Sequence, residues 1–275
     1  MHHASLPEET GPNSSIQVLD RVVRLLERLG EAGEGGEQLS RLAAGLGLSA
    51  STVHRLLAAL EQHGWVDREN ATRRHRLGTR LIALAGRAAD GSGLRRLCRP
   101  ALLRIAAETQ ETTFLIVRSG LNAVVVDRQE GSYVIESLTQ GIGGLLPLGI
   151  GSGSLAILAC QPEAEVEAIL AANAARYSEY GTTVEAVRAS LSGIREQGFM
   201  LANGSLILGL SVIAMPIRPS GRDVTAAIAI NFITTRLAPA SRQAWLSLLR
   251  GEVQSIEAGI SLPTRRTRPT KNGET

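Results

Sequence analysis

Two short helical segments joined by a tight turn, between residues 39 and 64, constrain this chain more than any other feature. Ser40 is a candidate cap for the first helix, whose apolar residues are Leu42, Ala43 and Leu46. Gly47 is expected to end this helix, because glycine adopts the left-handed conformation at little cost. The next helix is expected to begin at once, so the two must pack across each other.

The second helix is predicted to start at Ser49 or Ser51 and to stop at Gly64. Its apolar residues recur at the i, i+3, i+4, i+7 spacing of a helix that packs on one side. Two helices joined by a three-residue turn form a helix-turn-helix, whose second helix enters the DNA major groove. The residues predicted to contact DNA from this helix are Ser49, Ser51, Thr52, His54 and Arg55.

A basic hairpin is predicted directly after the second helix. Residues 65–67 and 75–77 are its strands, and 68–74 form a polar turn. The hairpin contains Arg68, Arg73, Arg74 and Arg76, and Arg80 follows it. Arginines that bind phosphate displace condensed counterions, so this hairpin is typical of a DNA-binding wing, with Arg73, Arg74 and Arg76 as contacts. Helix-turn-helix pairs also occur in proteins that never bind DNA, and a solvated hairpin can be basic without a function.

Composition favours a soluble globular protein with two domains. The 275 residues suffice for two cores, and 44% hydrophobic with 20% charged residues is ordinary. The net charge is only +3, so the basic character is local. No segment reaches the ~18 apolar residues of a membrane span, and no secretory signal is recognised. We therefore expect a cytoplasmic protein without a membrane partner.

The predicted boundaries follow the composition. A helix from Ser14 or Ser15 to Leu29 precedes the helix-turn-helix, and a linking helix ends at the glycine and serine residues 91–93. We predict a winged helix-turn-helix domain over 15–78, a linker helix and hinge over 79–92, an effector-binding domain over 93–262 and a basic flexible tail over 263–275.

The second domain is predicted to be α+β, with a central antiparallel sheet flanked by helices. The spacing of its apolar residues alternates along the chain between the period of a helix and that of a strand. Helices are expected at 94–110, from 154 onward, at 163–175, 183–197 and 240–258, and strands at 112–119, 123–128, 133–138, 199–202, 211–217 and 225–232.

The distribution of reactive side chains argues against catalysis. All five histidines precede residue 76, and the only lysine is Lys271 in the tail. The second domain therefore lacks a histidine base and a Schiff-base lysine. Cys98 and Cys160 are expected to be buried and reduced rather than joined in a disulfide. We predict no catalytic residue, no metal and no cofactor.

A glycine-rich segment, 149–154, leads directly into an apolar helix. Such a turn presents free backbone N–H groups at a helix start, which suit a carboxylate or phosphate, although a plain flexible loop is the alternative. The spacing is not that of the dinucleotide fingerprint. Apolar walls for a ligand site are available, namely Leu138, Leu146, Leu148, Leu210, Val212 and Ile228.

At these residues the chain resembles the IclR family of bacterial transcriptional regulators. The run GLGLSASTVHRLLAALEQHGWVDR and the R-L-G after the wing carry the resemblance, which continues through LPLGIGSGSLAILA and AAIAINFITTRL in the second domain. It implies a winged helix-turn-helix followed by a GAF-like domain. It also implies a homodimer, often a dimer of dimers, that binds a double-stranded DNA operator and a small organic acid or related metabolite.

The resemblance also supplies effector-facing positions: Leu138, Ser152, Gly153, Ala202, Val212, Ala229 and Asn231, to which the glycine-rich turn adds Ser154. Gly149 stands where the family often has histidine, and Ala202, Val212 and Ala229 replace polar residues. We therefore expect an effector with a larger apolar or aromatic body.

These observations predict a ligand-responsive, sequence-specific transcriptional regulator, most simply a repressor. Two alternatives stay open. One is a winged helix used for protein contact beside an assembly domain, and the other is an enzyme built on the sensor-like domain. Salt dependence of DNA binding separates the first alternative from a regulator, because phosphate contacts weaken as salt rises.

Overall fold

The computed structural model describes residues 13–91, 93–132, 141–204 and 207–261. The chain forms two compact units that divide between residues 91 and 92. Within the described ranges, no helix is both long and apolar enough to cross a membrane.

The first unit is a winged helix-turn-helix. Its elements are α1 (Asn13–Glu31), α2 (Leu39–Leu46), α3 (Ala50–Gln62), β1 (Val66–Arg68), β2 (His75–Leu77) and α4 (Arg80–Gly91). Leu25, Leu42, Val53 and Leu57 form its core together with neighbouring apolar residues of the same helices and of β1. The predicted hairpin is thus present, and β1 pairs with β2 in antiparallel register.

The predicted cap of α2 is wrong, whereas the predicted end is confirmed. The helix begins at Leu39 with Gln38 as the extended N-cap residue, so Ser40 lies within the first turn. Leu39 packs against the core, and the Gln38 carbonyl already accepts from the amides of Arg41 and Leu42. Gly47 adopts φ +65°, the left-handed conformation that stops the helix.

The second unit is an α+β domain built on one antiparallel sheet in the order β5-β4-β3-β8-β7-β6. Its strands are β3 (Thr112–Ser119), β4 (Asn122–Gln129), β5 (Leu145–Pro147), β6 (Met200–Asn203), β7 (Leu210–Ile217) and β8 (Ala226–Ile233). Its helices are α5 (Leu94–Thr109), α6 (Ser152–Leu158), α7 (Glu163–Tyr177), α8 (Val184–Gln197) and α9 (Pro239–Ser261). The fold class predicted from sequence is confirmed. The strand β5 was not predicted, α6 begins two residues earlier than expected, and the predicted strand 133–138 lies outside the described residues.

The two faces of this sheet bury different cores. Helices α5 and α9 cover one face, where Leu115, Ile228 and Phe232 are fully buried. Helices α6, α7 and α8 cover the other face, where Phe114, Ile116 and other apolar residues are buried. Because successive side chains of a strand point to opposite faces, this division decides which positions face the second core.

The two cysteines are free, as predicted, but they differ in burial. Cys98 is fully buried in α5, whereas Cys160 is only partly buried, so the prediction of two buried thiols is wrong for Cys160. Cys160 lies after the end of α6, where the chain turns toward α7. Burial, aided by the nearby Asp127 carboxylate, raises the pKa of Cys98 to about 12, so its thiol stays protonated.

Candidate DNA-binding surface and effector cavity

Helix α3 presents its polar face to solvent. Val53, Leu57 and Leu60 are buried, whereas the intervening residues His54 and Arg55 are exposed. In the described part of the chain, the Arg55 guanidinium has no hydrogen-bond or ion-pair partner. It is therefore available to a ligand outside the protein.

Ser49 has a structural task at the start of α3. Its hydroxyl accepts a hydrogen bond of 3.2 Å from the Thr52 amide, which confirms Ser49 as the cap. The same oxygen lies 3.0 Å from the Ser51 hydroxyl and 2.9 Å from the Thr52 hydroxyl. These three predicted DNA contacts are thus brought together at the helix start, with Ser49 engaged by the backbone.

The wing is held to the body of the domain by its second strand. His75 exchanges two backbone hydrogen bonds of 2.8 Å with Glu37, on the side of β2 that β1 does not occupy. The turn closes through the Arg73 amide, which donates to the Glu69 carbonyl at 2.8 Å. Arg73 itself has φ +56°, an uncommon left-handed conformation for a side-chain-bearing residue.

The two neighbouring wing arginines have different environments. Arg73 is exposed, and its side chain makes no hydrogen bond or ion pair with any residue that the structure describes. The Arg74 guanidinium instead donates from Nη1 to the carbonyl oxygens of Gly35 and Gly36, each at 3.2 Å. Arg74 therefore fastens the wing to the loop before α2, while the Arg73 side chain donates to none of the described residues. Arg76 is exposed and lies opposite Asp67 in the hairpin.

Sequence reasoning missed the role of His75. Its ring is buried, and Nε2 lies 3.2 Å from Oε1 of Glu61 on α3. Burial lowers the pKa of His75 below its ordinary value, and the charges of Arg68 and His54 act in the same direction against the opposing pull of Glu61. This contact between the buried ring and Glu61 joins the wing to α3. The signal available in the sequence was a histidine at an inward-facing strand position.

A polar cleft of about 400 Å³ lies between α2, α3 and the wing. Arg68, Arg73, His54, Ser40 and Thr72 are among its walls. The cleft brings together residues from both parts of the predicted DNA-contacting surface.

The second unit contains an apolar cavity between α6 and the sheet. The volume that the centre of a water-sized sphere can reach is about 90 Å³, which exceeds the room one water needs several-fold. The wall residues that were predicted as effector-binding are Ser152, Gly153, Ser154, Ala202, Val212, Ala229 and Asn231. The remaining walls are Phe114, Ile116, Ala123, Val125, Leu146, Ile150, Gly151, Ile207 and Leu210.

The structure therefore gathers the predicted effector positions of the described chain into one cavity, although ligand binding there stays a prediction. Leu138 lies outside the described residues. Two of the apolar walls expected from sequence are wrong. Ile228 belongs to the core on the opposite face, because Ala229 and Asn231 on the same strand face the cavity, and Leu148 is buried behind the wall.

Few polar groups face this cavity. The Ser154 hydroxyl accepts from the Gly149 amide at 2.7 Å, so it is engaged in holding the loop before α6. The Ser152 hydroxyl and the side-chain amide of Asn231 make no hydrogen bond to another residue in the described ranges. A ligand thus meets one hydroxyl and one amide in a wall that is otherwise mainly apolar, with no charged lining residue among those described.

Two glycines permit the close packing of this loop and helix. A Cβ on Gly153 would lie 2.8 Å from Cδ1 of Ile116 in the cavity wall. Gly149 has φ +110°, and a Cβ there would lie 2.8 Å from the hydroxyl of the buried Tyr177. That hydroxyl donates to the Leu148 carbonyl at 2.7 Å, so a larger residue at 149 would break this bond.

A winged helix-turn-helix with a free outward arginine, followed by a domain with an apolar cavity, defines the class of ligand-responsive DNA-binding proteins. Comparison with known families agrees. The IclR helix-turn-helix domain matches residues 18–70, and the C-terminal domain of bacterial transcriptional regulators of the IclR type matches residues 86–272. The chain therefore belongs to the IclR family of transcriptional regulators, with a helix-turn-helix DNA-binding domain and an effector-binding C-terminal domain.

Individual relatives cover most of the chain. The transcriptional regulator XynR of Escherichia coli K12 is 26% identical over 252 residues, which are 90% of this chain and 96% of that protein. The transcriptional repressor IclR of the same strain is 27% identical over 226 residues, 81% of this chain and 82% of that protein. A crystal structure of an IclR homologue from Microbacterium hydrocarbonoxydans, complexed with 4-hydroxybenzoate, superposes with a TM-score of 0.73 at 27% identity, covering 88% of this chain and 98% of that one.

Proposed function

We propose that this regulator is a repressor that binds its operator through α3 and the wing and is controlled by a small aromatic carboxylic acid in the cavity. In this proposal Arg55 reads a base edge from the major groove, and Arg73 and Arg76 contact phosphates. Ser51, Thr52 and His54 contact the DNA beside Arg55 through shorter side chains. Repression is supported by the name of the E. coli repressor IclR among the relatives. As a DNA-bound protein it acts in the cytoplasm.

The composition of the cavity wall is the observation that supports the proposed class of effector. Apart from the glycine-rich loop, the wall consists mainly of aliphatic and aromatic side chains, and it offers Ser152 and Asn231 as polar groups without an internal partner. A small, highly oxygenated acid would leave several of its oxygens unpaired there, at a cost of about 1–3 kcal/mol each. An aromatic ring fits this wall better, and the relative that holds 4-hydroxybenzoate is consistent with such a ligand.

We further propose that the domain binds its ligand without converting it. Serine hydroxyls, one asparagine amide and glycine backbone groups are the polar lining within the described residues. None of these is paired with a base that would make it a nucleophile, since the Ser154 hydroxyl accepts from a backbone amide.

A homodimer is the proposed DNA-binding form. Ile16, Leu19 and Val23 follow one another at i, i+3 and i+7 on α1, and Ile16 and Leu19 are 66% and 64% exposed. On α4, Ile82 is 71% exposed and Leu84 is 42% exposed. Such apolar surface on two helices of a DNA-binding unit suits a second copy of the chain, which would place two recognition helices on two operator half-sites. A dimer of dimers would extend the same arrangement.

The test has two parts. Selection of duplexes from a random pool should yield a sequence with two half-sites, and Leu19→Glu should lower the mass measured by light scattering and weaken operator binding. Ile233→Glu, a matched change at another exposed apolar side chain, is the control. A monomeric wild type that selects a single half-site would contradict the proposed dimer.

The effector is tested by thermal shift with a panel from pyruvate and glyoxylate to benzoate and 4-hydroxybenzoate. Stabilisation by the aromatic acids and release of operator DNA are expected. Asn231→Leu should weaken the response, since it removes a polar group from the wall. Stabilisation by pyruvate and glyoxylate alone would refute the aromatic class, and no stabilisation by any acid would refute effector binding of this kind.

A further inference from the structure

Arg128 is a cation beside the cavity that no part of the sequence reasoning assigned. It pairs across the sheet with Phe114, which in turn pairs with Ala229 on β8. Residues paired in this way share one face of a sheet. Phe114 and Ala229 both line the cavity, so Arg128 lies on the cavity face, at the end of β4.

A β-bulge turns Arg128 toward this face. The register between β3 and β4 shifts between Leu115 and Ile116, so Val125 lies opposite Ile116 and Asp127 opposite Leu115. Asp127 consequently faces α5, where Arg99 donates to both of its carboxylate oxygens at 2.9 and 3.0 Å. The next residue, Arg128, returns to the cavity side, and its guanidinium lies 5.8 Å from the centroid of the Phe114 ring.

The donors of this guanidinium are poorly satisfied. Nε and Nη2 are buried and have no acceptor in hydrogen-bond geometry among the described residues. Nη2 lies 3.0 Å from Oε1 of Glu130, an ion pair without that geometry, in which the Glu130 side chain is 50% exposed and that of Arg128 is 16% exposed. The Nε–H and Nη2–H groups share one edge of the guanidinium plane, and this edge matches the two oxygens of a carboxylate.

We propose that Arg128 binds the carboxylate of the effector while the aromatic body occupies the cavity beside Phe114. This inference rests on the proposed function and adds to it the residue that recognises the acid. The cavity wall holds no charge of its own among the described residues, and a carboxylate buried without a partner is strongly unfavourable. The ligand carboxylate would replace the poorly aligned Glu130 on Arg128, which leaves the local charge unchanged and lets Glu130 turn to solvent.

The experiment compares 4-hydroxybenzoate with 4-hydroxybenzamide, its neutral isostere, by calorimetric titration of the full chain. Wild type is expected to bind the acid about tenfold or more tightly than the amide, as a charged hydrogen-bonded pair requires. Arg128→Gln should remove this preference by weakening acid binding while amide binding persists. Glu130→Gln, a change at a half-exposed residue, should strengthen acid binding and leave amide binding unchanged, since it removes the competing carboxylate.

The outcomes of these titrations distinguish carboxylate binding by Arg128 from a structural role of this residue. If Arg128→Gln weakens both ligands equally, Arg128 supports Phe114 structurally and the inference is wrong. If Arg128→Gln leaves the acid-to-amide ratio of wild type intact, the carboxylate lies elsewhere, for example at the start of α6, and the inference is wrong while the cavity proposal stands. If wild type binds neither compound, the proposed effector class fails and the assignment of Arg128 fails with it.

Discussion

Two adjacent wing arginines should respond differently to the same substitution. Arg73→Gln removes an exposed guanidinium with no partner among the described residues, whereas Arg74→Gln removes the donor to the Gly35 and Gly36 carbonyls. Glutamine is the chosen replacement because it keeps a long, unbranched side chain at Arg73, whose left-handed backbone (φ +56°) disfavours β-branched residues most.

The environments of the two arginines set the expected magnitude of each effect. Loss of one phosphate contact at Arg73 should reduce the slope of log K against log salt by about 0.9, so the loss of affinity between about 50 and about 200 mM salt should shrink by about 3.5-fold. Random and operator DNA should change alike. Arg74→Gln should instead cost about 1 kcal/mol of unfolding free energy, because two partly exposed charge-assisted hydrogen bonds are lost.

Both quantities can be measured on the full chain. Fluorescence anisotropy of labelled operator and random duplexes at several salt concentrations gives the slopes. Urea unfolding followed by Trp65 fluorescence, in a Trp245→Phe background, reports the first unit, because these are the two tryptophans of the chain. An unchanged salt slope in Arg73→Gln, or a slope loss in Arg74→Gln larger than that in Arg73→Gln without destabilisation, would refute this division of roles.

Three further results are expected. Arg55→Ala should lose ~1–3 kcal/mol of discrimination at one base pair of the selected operator, measured by competition binding, because a bidentate contact is lost. The first unit should lose stability as the pH falls below the ordinary His75 value of 6.5, since the unfolded state takes up the proton first. His75→Gln should flatten this dependence in urea unfolding between about pH 5 and about pH 8. Gly153→Ala should weaken aromatic acids in thermal shift, because its methyl group displaces Ile116 in the cavity wall.

Each of these has a matched control. Gln62→Ala, at another exposed residue of α3, should leave operator discrimination unchanged, and full discrimination in Arg55→Ala would contradict the proposed contact. A pH profile of His75→Gln that overlays wild type would show that other groups govern the acid response. Gly193→Ala is the control, because a Cβ at this helix position would lie 4.0 Å from its nearest neighbour, Nε2 of Gln197. Equal ligand responses in Gly153→Ala and Gly193→Ala would contradict the packing argument.

The ends of several elements could be predicted from sequence because their causes are local. Gly47, with φ +65°, and Ser49, which accepts from the Thr52 amide, act through their own backbone and the next few residues. Thr183 caps α8 in the same way. Ser40 failed as a cap because the packing of Leu39 on the core started α2 earlier, which is a tertiary effect.

The sheet shows where local patterns stop being informative. Strands β7 and β8 are nearly all apolar, because both faces of the sheet are covered by helices, so their sequences do not reveal which residue faces which core. The family resemblance placed Ala229 and Asn231 correctly on the cavity face of β8, whereas apolarity alone suggested Ile228, which faces the opposite core. The bulge at Val126, which sends Asp127 to the α5 face and Arg128 to the cavity face, exists only in the pairing of β3 with β4.

The amino-acid sequence by itself determined the winged helix-turn-helix, the α+β class of the second domain and the family, because these depend on periodicity, caps and motif spacing along the chain. Only the tertiary structure decided which polar groups are free. Arg73 and Arg74 are identical neighbours, yet one is fastened to Gly35 and Gly36 and the other is not. His75 meets Glu61, and Arg128 meets Phe114, through side chains distant along the chain. Partners of this kind are set by the packing of whole elements, which no local pattern encodes.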